Sequence, residues 1–194
     1  LHADRRPWGV LTMIGAYRTF AEGRMGEARD LYQQLIARDP NDPDAWYGLG
    51  DAWFHDNGAP MAAHMTESLR AFKRALVLDP GYALAFEHVS FLLGLASRAD
   101  PGLLLLPGDS IAESYPRKAA IDSATVQAHV ARARAEAVRL ARDWVALQPA
   151  TPRAHEALLG ALLAAGDFAG AATEIGRFRS VLPTHPELPF DAAR

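Results

Sequence analysis

The sequence predicts an all-α protein, an α-solenoid of stacked antiparallel helix pairs. Three observations lead to this prediction. About half of the 194 residues are hydrophobic and 22% are charged, a balance typical of a chain with a packed core. Alanine and leucine, both strong helix formers, dominate the apolar residues, whereas runs of β-branched residues are almost absent. Glycine and proline also recur at matching offsets in distant segments, which is the pattern of a repeated helix pair.

Two distant segments share the same order of turn, small, large and helix-ending residues. They are Gly23, Ala28, Tyr32 and Pro40 in the first segment, and Gly166, Ala171, Ile175 and Pro183 in the second. The glycine allows a tight turn between two helices, and the alanine lets them approach closely. The large residue fills the adjoining space, and the proline ends the second helix.

A further signature lies between these segments. Asp42 and Pro43 open a predicted helix, and Trp46, Leu49, Gly50 and Trp53 follow at the spacing W-x2-L-G-x2-W. This pattern resembles the tetratricopeptide repeat, in which W-x2-L-G-x2-Y, A-x3-F and P recur over about 34 residues. Phe72 and Pro80 match the family pattern, whereas Trp53 replaces its Tyr and Ser68 replaces its Ala.

The resemblance implies a single domain over residues 1–194 with about four degenerate units. We place them at 9–42, 43–82, 83–151 and 152–185. The third unit contains an insertion at 98–120, a predicted loop whose apolar anchor is Leu103 to Leu106. Residues 83–151 are interpreted as one extended unit because Ile121 to Leu147 lacks glycine and proline. Two degenerate units remain the alternative.

The predicted helices follow the apolar spacing and the turn residues, with helix pairs meeting at Gly23, at Asn57–Gly58 and at Gly166. The expected helices are Pro7 to Glu22, Gly26 to Arg38, Pro43 to His55, Met65 to Leu78, Ala83 to Ser97, Ile121 to Leu147, Pro152 to Ala165 and Phe168 to Val181. Trp46 is expected to be buried between adjacent pairs.

The family resemblance implies a binding surface, because the first helix of each tetratricopeptide pair lines the concave side. Carried over position by position, the candidate partner-binding residues are Tyr17, Tyr47, Asp51, Phe54, His55, Glu87 and Phe91. Glu156 holds an equivalent position in the fourth unit. Aromatic side chains with a few charges are typical of protein interfaces. The alternative is that several of these aromatics belong to the core.

Some members of the family bind a peptide's terminal carboxylate with Lys, Asn and Arg. The matching positions here hold Met13, Tyr17, Leu84 and His88, so this clamp is absent. We therefore expect an apolar or mixed peptide or protein partner rather than an acidic tail.

Composition argues against several other functions. The net charge of −3 provides no excess of basic residues with which to bind nucleic acid. The absence of cysteine excludes thiolate chemistry. The histidines are scattered without an H-x3-H pair, so no metal site is expected. No catalytic residue and no cofactor are predicted. Gly108–Asp109–Ser110 resembles the nucleophile motif of GDSL hydrolases, but the Asp-x-x-His partner is absent, so a hydrolase using Ser110 is a remote alternative.

The leading hypothesis is thus a protein- or peptide-binding scaffold module. The second is a regulatory or sensory segment of a larger bacterial enzyme or transcription regulator, an idea motivated by the non-Met start at Leu1. No apolar run reaches membrane-span length, and a cytoplasmic location is favoured. Homo-oligomerisation, or further repeats stacked on the C-terminal end, is also expected to be possible.

Overall fold

The computed structural model describes residues 7–97, 103–105, 111–113 and 123–181. Within these ranges the chain forms eight helices and two short strands. The helices are α1 (Pro7–Ala21), α2 (Met25–Arg38), α3 (Pro43–Phe54), α4 (Met61–Leu78), α5 (Ala83–Ala96), α6 (Ser123–Leu147), α7 (Pro152–Ala165) and α8 (Phe168–Val181); the strands are β1 (Leu103–Leu105) and β2 (Ile111–Glu113).

The chain divides into two compact units. The first contains Leu1–Val89 and Leu106–Glu113, and the second contains Ser90–Leu105 and Ser114–Arg194, so the division falls within α5. The assignment of residues 1–194 to one domain, with repeat units at 9–42, 43–82, 83–151 and 152–185, stays a prediction. The all-helical class and the sequential packing of helix pairs are confirmed.

In the first unit, α1 packs on α2, α2 on α3 and α3 on α4. One cluster of buried side chains joins them, comprising Met13, Ala16, Ala28, Tyr32, Leu35, Ala45, Leu49, Ala52 and Ala71. Alanines on facing helices keep the backbones close, as the sequence pattern predicts. Met13, which replaces a clamp residue of the family, is therefore a core side chain.

Two glycines of α3 allow aromatic rings to pack directly on its backbone. A Cβ atom added at Gly48 would overlap the ring of Tyr32 on α2, and one added at Gly50 would lie 2.7 Å from ring atoms of Phe72 on α4. Both rings are almost completely buried. Helix α3 is therefore held between two rings, one on each flanking helix, and only glycine leaves room for them.

The ends of the helices follow from local chemistry. Asp42 caps α3, because its Oδ1 accepts the backbone N–H groups of Asp44 at 3.0 Å and Ala45 at 3.4 Å. Gly23 and Gly166 adopt positive φ values of 77° and 78° at the turns that end α1 and α7. The predicted meeting points of these helix pairs are confirmed, as is the turn at Asn57–Gly58 between α3 and α4.

In the second unit, α6 packs on α7 and α7 on α8. Trp144 of α6 is almost completely buried, and its indole N–H donates to Gln148 Oε1 at 3.0 Å. His155 of α7 is fully buried and stacks on Phe178 at 4.9 Å. Its Nδ1 lies 2.5 Å from Glu174 Oε1, and its Nε2 donates to the carbonyl of Pro149 at 2.7 Å. Histidine at this position thus serves as a core residue.

The predicted bounds of α7 and α8 are confirmed at both ends, and α4 differs most from its prediction. It begins at Met61 rather than Met65 because Pro60, with φ −55°, can precede a helix directly and the next four residues continue it.

The 98–120 segment, predicted to be a loop, contains β1 and β2; the backbone of β1 lies beside α6 and that of β2 beside α4. Leu106 and the Gly108–Ser110 tripeptide lie outside the described residues. None of the helices in the described ranges is long and apolar enough to cross a membrane.

The expectation that Trp46 is buried is wrong. Trp46 is only partly buried against the first unit's core, because its indole N–H reaches out to the carbonyl of Pro40 at 2.9 Å in the turn between α2 and α3. Tyr32 and Leu49 occupy the interior instead.

The space around two helical glycines predicts opposite effects for their substitution by alanine. Gly50→Ala should destabilise the protein by about 1–3 kcal/mol, because the Phe72 ring has to move. Gly176→Ala on α8, where an added Cβ meets no atom within 4 Å, should stabilise it by up to about 1 kcal/mol through helix propensity. Urea unfolding measures both changes, and a stable Gly50→Ala variant would contradict the account.

The burial of the tryptophans predicts unequal losses on truncation. Trp144→Ala should lower the free energy of unfolding by about 3–5 kcal/mol, the usual range for a buried aromatic residue. Trp46→Ala should lower it by about 1–2 kcal/mol, because only part of the ring leaves water on folding. Chemical denaturation of each variant checks this, and equal losses would show that the burial of Trp46 is misjudged.

Candidate functional site

Helix α3 presents Tyr47, Asp51 and Phe54 on one face, since their spacings of four and three residues match the helical repeat. His55 follows directly as the C-cap residue, and its backbone N–H donates to the carbonyl of Asp51 at 3.0 Å. The opposite side of α3 carries core residues such as Leu49. The glycine packing described above therefore also fixes the direction of this polar and aromatic face.

Tyr47 packs at the base of this face of α3, against two other aromatic rings. It is partly buried, stacks on Tyr82 at 5.2 Å with 27° between the rings, and lies 5.5 Å from Phe72. The hydroxyl of Tyr82 donates to Asp44 Oδ1 at 2.8 Å. Burial raises the pKa of Tyr47, and the negative charges of Asp51 and Glu87 add to the effect. Tyr47 therefore remains a neutral phenol that can donate or accept a hydrogen bond.

His88 of α5 is held in one orientation. Its Nδ1 donates to the backbone carbonyl of Leu84 at 2.8 Å, and its Nε2 lies 3.5 Å from Asp51 Oδ1. The ring packs on Phe72 at 4.6 Å and receives the edge of Phe54 at 5.1 Å. Because a carbonyl oxygen can only accept, the neutral ring carries its proton on Nδ1 and has a lone pair on Nε2.

His55 approaches the same carboxylate from the other side. Its Nε2 lies 3.4 Å from Asp51 Oδ1, and its side chain is about half exposed. Phe54 and Phe20 contact the ring nearly perpendicularly, at 5.1 and 5.6 Å between centroids. Aromatic contacts thus position both imidazoles beside one carboxylate oxygen.

Asp51 lies at the centre of this arrangement, which we call the Asp51 cluster: Asp51, His55 and His88. One side-chain ligand atom from each of the three residues lies within 4.8 Å of the others. Burial raises the pKa of the Asp51 carboxyl above its ordinary value, while His88 and His55 act in the opposite direction. A largely desolvated carboxylate beside two imidazole nitrogens favours a cation at this position.

The structure brings four of the candidate partner-binding residues together: Tyr47, Asp51, Phe54 and His55. Glu87 is partly buried on α5 and close enough to Tyr47 to influence its pKa. Tyr17 of α1 is about half exposed, with its ring edge-on to Tyr32 at 6.2 Å. Their assignment to a binding surface stays a prediction.

Sequence reasoning missed the roles of His88, Phe72 and Tyr82 at this site. The only local signal was the i, i+4 spacing of Asp51 and His55, which places both on one side of a helix end. His88 lies more than thirty residues further along the chain. The expectation of no metal site rests on short-range histidine spacing, and such spacing cannot reveal a cluster assembled from two helices.

The second unit carries a separate groove. It has a volume of about 460 Å³ and is bordered by Phe91 of α5, Arg134 of α6 and Glu156 of α7. Small residues such as Gly94 and Gly160 line its base. Phe91 is about half exposed, whereas Arg134 and Glu156 are partly buried, and the Arg134 Nε–H donates to the carbonyl of Ser97 at 3.0 Å. Two residues predicted to face a partner, Phe91 and Glu156, thus share one groove.

Comparison with known proteins identifies the fold. Residues 16–83 match the family model described as "Tetratricopeptide repeat". A structure titled "MamA 41-end from Desulfovibrio magneticus RS-1" is similar, with a TM-score of 0.58 and 16% identity over 93% of this chain and 78% of the other. The MamA RS-1 ArsTM double mutant gives a TM-score of 0.59 and 15% identity at the same coverages.

A third structure is TTC0263, a thermophilic tetratricopeptide repeat protein from Thermus thermophilus. Its TM-score is 0.52 and its identity 17%, over 89% of this chain and 73% of the other. No curated protein sequence matches the chain significantly. The matched segment contains α2, α3 and α4, together with the Trp46, Leu49 and Gly50 signature. Residues 16–83 therefore match the tetratricopeptide repeat family, and the fold of the chain is similar to that of these solved structures.

Proposed function

We propose that the chain is a protein-interaction module that binds a peptide or protein segment. The observation that carries this proposal is the face of α3, where the polar atoms of Asp51 and His55 stand among the rings of Tyr47 and Phe54. Tetratricopeptide repeat proteins are generally protein-interaction scaffolds. Within that general role, we assign contact with the partner to this face of the first unit, together with Glu87 and Tyr17.

The chemistry of this face suits a mixed apolar and polar segment. Partly buried aromatic rings provide contact area at low conformational cost, and such residues dominate binding energy at interfaces. The charges of Asp51 and Glu87 contribute orientation and selection against acidic partners more than affinity. An exposed cationic or hydrogen-bond-donating group with apolar neighbours is therefore the expected feature of the bound segment.

Phe91 and the second-unit groove provide another contact surface in this proposal. The groove has Arg134 and Glu156 at its border and small residues along its base. An apolar side chain of a partner would fill the space that the glycines leave.

This proposal predicts the effect of removing two partner-binding side chains. Once a partner has been isolated by affinity capture, Tyr47→Ala and Phe91→Ala should each weaken its binding by about 2 kcal/mol or more. Phe168→Ala is the matched control, because Phe168 is 70% exposed on α8 and has no part in the proposal. Calorimetric titration with the purified partner measures the affinities, and circular dichroism verifies folding. Unchanged affinity in folded Tyr47→Ala and Phe91→Ala variants would contradict the proposal.

The pH dependence of stability tests whether Asp51 serves binding rather than the stability of the fold. Because burial raises the pKa of Asp51, the folded state binds the proton more tightly than the unfolded state does. The stabilisation that comes from this tighter proton binding is complete below the pKa that Asp51 has in the unfolded state. It is lost as the pH rises through the pKa that Asp51 has in the folded state. With EDTA present, Asp51→Asn should therefore increase the free energy of unfolding at neutral pH, and the gain should vanish in acid.

The control for this measurement is Asp143→Asn. Asp143 is 54% exposed and pairs with Arg139 on the surface of α6, so its replacement should change stability by less than about 0.5 kcal/mol at either pH. Urea unfolding at neutral and acidic pH gives all the required values. A loss of stability in Asp51→Asn at neutral pH would mean that Asp51 is a structural residue.

A further inference from the structure

We propose that the Asp51 cluster is a binding site for a divalent transition metal ion, for which Zn²⁺ is the probe of choice. Asp51 and His55 come from the end of α3, and His88 comes from the middle of α5. This proposal does not depend on the partner, because it concerns the chain alone.

The spacing of the three ligand atoms fits a single ion. Nitrogen and carboxylate ligands lie about 2.0–2.2 Å from Zn²⁺, so two ligands at a tetrahedral angle are about 3.3–3.6 Å apart. The Asp51 Oδ1 lies 3.4 Å from His55 Nε2 and 3.5 Å from His88 Nε2. These two separations match adjacent edges of a tetrahedron, and all three atoms lie within 4.8 Å of one another.

The protonation of His88 favours a metal ligand. In the neutral ring the Nδ1–H donates to the Leu84 carbonyl at 2.8 Å, so Nε2 carries the lone pair, and it lies 3.5 Å from Asp51 Oδ1. Two acceptor atoms at this separation repel unless a proton or a metal ion lies between them. Metal-ligating histidines typically donate the second ring N–H to a backbone carbonyl or carboxylate, which orients the ring and increases ligand basicity.

The surrounding rings hold the ligands in place before any ion arrives. His88 packs between Phe72 at 4.6 Å and Phe54 at 5.1 Å, and His55 is contacted by Phe54 and Phe20. Apolar neighbours also reduce the competition from water for the carboxylate. A site with locked ligands loses little entropy when the ion binds.

The donor set selects the class of ion. Two imidazole nitrogens with one carboxylate suit Zn²⁺, Co²⁺, Ni²⁺ or Cu²⁺, whereas Mg²⁺ and Ca²⁺ favour oxygen ligands alone. Because His55 is about half exposed, solvent can reach the ion on that side. Three protein ligands with an accessible position for water or an external ligand is the arrangement of a zinc site that binds further groups.

Calorimetric titration of the EDTA-treated, dialysed 194-residue chain with ZnCl₂ tests the proposal. We expect one Zn²⁺ per chain, and Co²⁺ should produce the visible absorption of a low-symmetry nitrogen and oxygen site that excess Mg²⁺ does not remove. Removing a residue that only supports a ligand already lowers metal affinity by about 10- to 100-fold. Asp51→Asn, His55→Gln and His88→Gln should therefore each lower the Zn²⁺ affinity by at least about 100-fold.

His129→Gln is the matched control. His129 lies on α6, and its Nδ1 is 2.7 Å from an Arg132 nitrogen, so its replacement should leave Zn²⁺ affinity unchanged. Circular dichroism establishes whether each variant folds. If loss of the Phe72 contact unfolds His88→Gln, the near-isosteric Asp51→Asn and the exposed His55→Gln decide the question. Absence of 1:1 binding, or full affinity in those two variants, would overturn the proposal and leave the partner-binding proposal standing.

Discussion

The packing of two aromatic rings on the glycines of α3 is the constraint on which the first unit depends. The ring of Tyr32 covers Gly48 and the ring of Phe72 covers Gly50. Any side chain at these two positions would keep α2 and α4 farther from the backbone of α3. Tight packing of this kind leaves few alternative arrangements for a helix. Consequently the rotation of α3 about its axis is fixed, and with it the direction of Tyr47, Asp51 and Phe54.

Phe72 connects this packing to the candidate site. One side of its ring meets Gly50, and the ring also lies against His88, Tyr47 and Phe54. The same side chain therefore sets the helix spacing and supports the imidazole that faces Asp51. A substitution that moves Phe72 should disturb the repeat frame and the site together. This shared support explains how a family signature residue can matter for both stability and binding chemistry.

Most of the fold could be predicted because its determinants are local. Prolines, the cap at Asp42 and the positive-φ glycines Gly23 and Gly166 mark helix ends without reference to the rest of the chain. The additional turn at the start of α4 escaped prediction because Pro60 begins it without a side-chain cap. Trp46 was misjudged because the family pattern specifies the residue type but not whether its polar N–H reaches outward, here to Pro40.

The candidate site was predictable only in part. The family resemblance pointed to Tyr47, Asp51 and Phe54 as candidates, but the contribution of His88 depends on tertiary packing between residues far apart in the sequence. Its tautomer, set by the Leu84 carbonyl, is also a three-dimensional property. His88, which the sequence comparison noted only because it occupies a clamp position of the family, is thus the third member of the Asp51 cluster.

The central claim is that packing orients the site before any ligand is present. The ¹⁵N chemical shifts of the neutral His88 side chain in the metal-free protein test this claim most directly. The account predicts one tautomer, protonated on Nδ1 and hydrogen-bonded to Leu84, with an unprotonated Nε2. A mixture of tautomers, or a ring protonated mainly on Nε2, would show that the packing around Phe72 does not fix His88, and the account would be contradicted.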